Sequence, residues 1–112
     1  MITLATKHIN ILETVHPKCS NNCFIIKYKD QNGKQEFTIL PYYFYASKEA
    51  PEILLFAQLE KGAMVSLRLI CIEEVKETPI KLPFDSSKIN SSDNIIYEDT
   101  LKIMLSNARV RC

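Results

Sequence analysis

The residues in this chain with the types to do chemistry fall into two groups. The first is His16-Pro-Lys-Cys19-Ser-Asn-Asn-Cys23. Imidazole and thiolate ligands at short separation in a loop are the beginning of a zinc site, which generally needs four tetrahedral ligands. Only His8, Cys71 and Cys112 remain to complete one. The Cys19 to Cys23 spacing is wider than the common two-residue knuckle, so the expectation is a loop with two incidental thiols and no metal or other cofactor. Cys19 and His16 also have the types for nucleophilic catalysis, but neighbours on one loop make a poorly preorganised pair. The paired carboxylates Glu73 and Glu74 fall on opposite faces of a strand. With Gly33 and Gly62 as the only glycines, no phosphate-binding loop can be built. No enzymatic activity is expected.

The second group consists of cations interleaved with aromatic rings. Binding a single nucleic-acid strand takes ring faces for the bases and cations along the backbone path. Stacking contributes about 1–3 kcal/mol per base, and the electrostatic part weakens with salt. The cations are Lys27, Lys29 and Lys34 on a hairpin, Arg68 on a later strand, and Lys76, Lys81 and Lys88 beyond it. The rings are Tyr28, Phe37, Tyr42, Tyr43 and Tyr45. A plainer reading makes the lysines ordinary solvated positions and the rings core, as expected for Phe24 and Phe56. Three phenols within Pro41-Tyr-Tyr-Phe-Tyr45 cannot all point inward on an alternating strand.

Composition limits what such residues can do. The chain has 112 residues, enough for one domain spanning 1–112. Its formal net charge of +1 gives no global field for a polyanion, so any basic surface is local. No apolar run approaches the roughly 18–20 residues of a membrane span. The start, Met1-Ile-Thr-Leu-Ala-Thr-Lys-His8, lacks a basic region followed by an apolar stretch, so no secretory signal is expected. The expected location is cytoplasmic, with reduced cysteines.

The elements must then position these side chains. Asn32-Gly33 between alternating runs marks a hairpin, with Phe24, Ile26 and Tyr28 on one face of its first strand. A first strand is expected over 7–15 from Ile9, Ile11 and Val15. Pro51, the apolar run Ile53 to Leu59 and Gly62 give the punctuation of a short helix. A strand follows with Val65, Leu67, Leu69 and Cys71 on one face. A long loop over 76–98 leads to a last strand from about Thr100 to Arg111, for which a helix over 97–107 is the alternative.

That order, three strands, helix, strand, long loop, strand, is the order of the OB-fold. The fold class expected is therefore mainly β: a five-stranded, OB-like Greek-key barrel with one short helix between strands 3 and 4. Phe37-Thr-Ile-Leu40, then Leu59-Glu-Lys-Gly-Ala-Met-Val65 and the outward Arg68, resembles bacterial single-stranded-DNA-binding and primosomal proteins. The resemblance covers roughly residues 24 to 75. It implies binding of single-stranded DNA, or RNA, with little sequence preference, in replication, recombination, or plasmid and phage biology. The chain departs from that family in lacking tryptophan and in ending Arg109-Val-Arg-Cys112 without an acidic tail. An exposed barrel edge further implies a homo-oligomer. The alternative is a protein-interaction module of the same β architecture, supported by the near-neutral charge.

Overall fold

A computed structural model of the chain describes residues 6–15, 21–49, 51–90 and 94–96. Helix α1 (Thr6–Val15) precedes strands β1 (Asn22–Asp30), β2 (Gly33–Ala46), β3 (Ile53–Leu59) and β4 (Met64–Arg68). A 3-10 turn (Leu69–Cys71) leads into β5 (Ile72–Lys81), and a second (Ser86–Lys88) precedes β6 (Asn94–Ile96). The architecture is mainly β, as expected, and every strand pair is antiparallel. The hydrogen-bonded order is β4-β3-β2-β1-β5, with β6 also on β2.

The sheet has to be rolled. Its path places β4 and β5 at opposite ends; laid flat, four spacings of about 4.8 Å would put them about 19 Å apart. The chain covers that gap with only the turn Leu69–Cys71, which advances about 2 Å per residue. A direct contact shows the curl: the Arg68 N–H on β4 donates to the Tyr28 hydroxyl on β1 at 3.1 Å, although β2 and β3 lie between these strands in the ladder. No ladder joins β4 to β5 among the described residues, so the sheet is curled but open.

Inside the curl lie Phe24, Ile26 and Tyr28 from β1, Ile39 and Phe44 from β2, Ile53, Leu55 and Ala57 from β3, and Leu67, Leu69 and Ile72. Val65, Leu67, Leu69 and Cys71 do share one core, as their spacing predicts. The strand they were assigned to is nevertheless broken, because a chain that must leave one sheet edge for the other bends at 69–71.

The hairpin is present, with Phe24 opposite Ile39 and Lys29 opposite Lys34. Its tip is shifted by one residue: Gln31 and Asn32 form the turn, Gly33 takes φ +108°, and the Asp30 carboxylate accepts the Asn32 N–H at 2.8 Å.

Three expectations are corrected. Residues 7–15 form α1, not a strand. Buried Ile9, Ile11, Leu12 and Val15 recur at helical spacings of three and four, while Glu13 breaks an alternating pattern. Ile53 to Leu59 form β3, not a helix. Ile53, Leu55 and Ala57 face the inner core, whereas Leu54, Phe56 and Gln58 alternate with them, and ladders to β2 on one side and β4 on the other fix the extended form. Gly62 keeps its left-handed backbone, φ +103°, in the three-residue turn of the β3–β4 hairpin, where its N–H reaches the Leu59 carbonyl at 2.8 Å. The helix therefore precedes the first strand rather than lying between the third and fourth. Finally, much of the expected 76–98 loop is ordered: residues up to Lys81 continue β5 along β1, and Asn94–Ile96 form β6. Pro79 is tolerated because β5 is an edge strand. The last strand expected over 100–111 lies outside the described residues, as do His16, Cys19 and Cys112.

Candidate functional site

The expected binding residues separate into three places. The first is the inside of the sheet, which takes Tyr28 and Phe37. Tyr28 is buried, its hydroxyl holds the Arg68 N–H, and Phe37 meets its ring edge-on at 5.9 Å. Burial pushes the Tyr28 phenol above its ordinary pKa, with the Arg68 N–H acting in the opposite direction. Phe37 is only partly buried, packed against the same core.

The second is the outer face of β1, β2 and β5. Directly opposed residues on neighbouring strands share a face, so register assigns it. One row reads Glu36, Lys27, Glu74; the next reads Thr38, Ile25, Lys76; at the hairpin end Lys34 faces Lys29. Lys27 pairs with Glu74 at 3.3 Å. Both groups are more than half exposed, so the pair contributes little stability, but it leaves Lys27 flanked by two carboxylates. Between Lys27 and Tyr28 the β1–β5 register shifts, which leaves Glu73 as a bulge residue. An open cavity of about 620 Å³ lies beside it. The charged residues lining it are Lys27, Lys34, Glu36, Glu73 and Glu74, so carboxylates outnumber ammoniums there. A phosphate backbone is not drawn into such a cavity. Lys29 and Lys34 differ: they sit opposite each other with no ion-pair partner among the described residues. Lys81 lies at the far end of β5, across from Asn22.

The third place is the outer face where β2, β3 and β4 run together. Pairing with β3 passes from Pro41↔Ala57 to Tyr43↔Phe56, leaving Tyr42 as the extra residue of a bulge. The proline has no N–H to give to a ladder, and a bulge is where a strand tolerates it. The bulge resets the alternation, which is how Tyr42 and Tyr43 both become buried. With Leu40 and Cys23 they form a second core, joined by Tyr45, Phe56, Met64, Leu82 and Ile95. Burial pushes the Cys23 thiol up, with nearby Glu60 adding to the effect.

All three phenols find partners on this face. The Tyr42 hydroxyl donates to Gln58 Oε1 at 2.9 Å and accepts the Asp85 N–H at 3.0 Å. Tyr43 accepts the Asn90 N–H at 3.3 Å, and Tyr45 donates to Ser66 Oγ at 2.9 Å. The Phe84 ring stacks on Tyr42 at 4.4 Å and 23°. Residues 82–90 thus lie across the rings expected to stack on bases. Lys88, from the same segment, reaches the Gly62 carbonyl at 3.4 Å. Arg68, on β4, is held by Glu52 at 2.8 Å.

No family model, curated protein or solved structure matches the chain. Its function therefore has to be read from the geometry of these faces. Sequence reasoning missed Phe84, Asp85, Gln58 and Asn90. Pro83-Phe84-Asp85-Ser86-Ser87 carried a signal for the first two: a lone ring in a polar stretch, followed by an aspartate placed to cap a turn. The Asp85 carboxylate does accept the Ser87 hydroxyl and N–H, which lowers its pKa.

Proposed function

We propose that this chain is a protein-interaction module that takes an extended segment of a partner onto the edge of its curled sheet. The observation that carries this reading is the state of β4. Among the described residues it has β3 on one side and no strand on the other. The two sheet edges are unlike. On β5, Pro79 and the exposed Glu73 and Glu77 discourage a new strand. Met64–Arg68 has no proline, and Val65 and Leu67 face the inner core, so an added strand with alternating apolar residues would extend that core. The near-neutral charge and the inward rings agree with a protein ligand. Two buried, reduced thiols, Cys23 and Cys71, fit a cytoplasmic setting. A second copy of this chain supplying the added strand would give the homo-oligomer expected from an exposed edge.

Selection from a displayed library of linear peptides should return segments with alternating apolar residues. Amide exchange with a selected peptide should then protect Met64–Arg68. Protection elsewhere, or no binders from the library, would overturn the β4 assignment.

A second reading, single-stranded nucleic-acid binding, is favoured by one observation: Lys29 opposite Lys34. Like charges directly across a ladder are destabilising, and an anion would relieve them. The likeness to single-stranded-DNA-binding proteins has lost its helix, since Leu59-Glu-Lys-Gly-Ala-Met-Val65 runs through a hairpin turn. Two unpaired lysines release about two counterions, so the affinity would be modest and fall with salt at a logarithmic slope near −1.4 for a single strand. Anisotropy with labelled oligo-dT tests this. On this reading Lys34→Glu abolishes binding while raising stability by about 0.2–1 kcal/mol. If the wild type shows no binding at low salt, the reading fails.

A further inference from the structure

We infer that the outer aromatic face of β2 and β3 is a peptide-docking groove, occupied in this structure by the chain's own residues 82–90 acting as a built-in ligand. This rests on the interaction reading and adds a second surface to it. The occupant it is shaped for is a protein segment carrying an aromatic residue followed by an acid-capped turn, as Asp85 caps Ser86–Lys88 after Phe84.

Three features of residues 82–90 resemble a bound peptide more than a core element. The first is how the segment is attached. Among the described residues, backbone-to-backbone bonds of the segment include the Leu82 N–H to the Asn21 carbonyl and, within the segment, Lys88 to Asp85 and Ile89 to Ser86. Its grip on the sheet includes the backbone N–H groups of Asp85 and Asn90, donated to the hydroxyls of Tyr42 and Tyr43, and the Lys88 ammonium on the Gly62 carbonyl. Any peptide backbone carries such donors, so these contacts select a backbone course, with the turn Ser86–Lys88 between the two donors, rather than a sequence.

The second feature is the anchor. Phe84 lies flat on Tyr42, yet 39% of it remains exposed, whereas Tyr42 beneath it is only 4% exposed. A core ring would be covered on both faces. One seated on a preformed platform leaves its outer face in water. The platform is held independently of the segment: Gln58 accepts from Tyr42, and Phe56 packs on Tyr43 at 5.0 Å. Aromatic anchors in such pockets carry much of the energy of peptide recognition.

The third feature is the acidic residue after the ring. Asp85 accepts from the Ser87 N–H and hydroxyl and shapes the turn Ser86–Lys88 that follows the anchor. Ring and acid together make a recognition unit that a partner segment can carry.

A tethered ligand competes at an effective concentration in the millimolar range, so it hides a weaker partner in trans. Only the fraction of molecules with the segment lifted is competent, and the apparent dissociation constant rises by that fraction. Weakening the tethered anchor should unmask the groove.

The test is a fluorescent peptide with the sequence of residues 81–90, titrated against the full chain. Phe84→Ala protein should bind it about tenfold more tightly than wild type, the factor expected for one aromatic contact. The same peptide with its phenylalanine replaced by alanine should bind neither protein. If Phe84→Ala remains folded by urea titration and binds the peptide no better than wild type, the groove is not a docking site. A second measurement covers loss of fold in the variant: in the wild type, the Asp85 and Asn90 amides should exchange through local opening, well before those of β1 and β2. Exchange of all four regions together would overturn the proposal. Failure here with Met64–Arg68 still protected by a selected peptide would remove the groove and leave the edge.

Discussion

Phe44→Ala should cost about 3–5 kcal/mol of folding stability, against a total of about 5–15 kcal/mol for a domain of this kind. Phe44 is 1% exposed and among the largest fully buried side chains. Its backbone stands where three strands meet, with Leu55 of β3 on one side and Ile96 of β6 on the other. Truncating it opens a void that rigidly paired strands cannot close by moving together. In a urea titration the midpoint should fall while the slope stays unchanged. A loss below about 1 kcal/mol would mean that the inside of the curl is not the principal core.

Leu12→Ala is the second large effect, at about 2–5 kcal/mol, and it also tests an assignment. In α1, Leu12 is completely buried beside Ile9, Ile11 and Val15. Had 7–15 been a strand with Ile9, Ile11 and Val15 inward, Leu12 would face solvent and its truncation would be silent. The helix has ten residues, fewer than the roughly 12–15 below which isolated helices are marginal in water. Its helicity therefore depends on docking. Circular dichroism of Leu12→Ala should show helical signal lost at a lower urea concentration than the sheet signal, and a silent substitution would restore the strand assignment.

These two substitutions mark where the sequence was legible and where it was not. The β1–β2 hairpin could be read because its signals are local: alternation on both arms and glycine at the turn. Gly62 was equally visible as a left-handed position, but that conformation ends a helix and closes a three-residue hairpin alike. What decides between them is the ladder on both sides of β3, which no window of sequence contains. Ile53-Leu-Leu-Phe-Ala-Gln-Leu59 is apolar on both faces because both are covered, and periodicity does not separate such a strand from a buried helix. The opposite error at α1 came from following the odd positions and passing over Leu12.

The candidate surfaces were legible as residue types more than as places. The lysines of the hairpin are exposed, as their polar positions suggest, but the glutamates that flank Lys27 arrive from β2 and β5, and the one on β5, Glu74, is ion-paired with it. The tyrosine cluster was expected either to stack or to pack. Its hydroxyls show how Tyr42 and Tyr43 can be buried without strain, and with the half-buried Tyr45 each has a partner that sequence distance conceals: Gln58, Asp85, Asn90 or Ser66.

The antiparallel pairing of β1 with β5 bears on how the chain is made. β1 receives its second partner from a strand about half the chain length away. At roughly 5–20 residues per second, β1 waits several seconds on the ribosome with one edge unpaired. During that interval the nascent hairpin carries an open ladder and the apolar residues Phe24, Ile26 and Tyr28 on one side. Lys27 and Lys29 alternate with them, and charges at such positions keep neighbouring nascent chains from zipping together. The Lys27 ammonium that meets Glu74 in the finished sheet thus guards the strand before Glu74 has been synthesised.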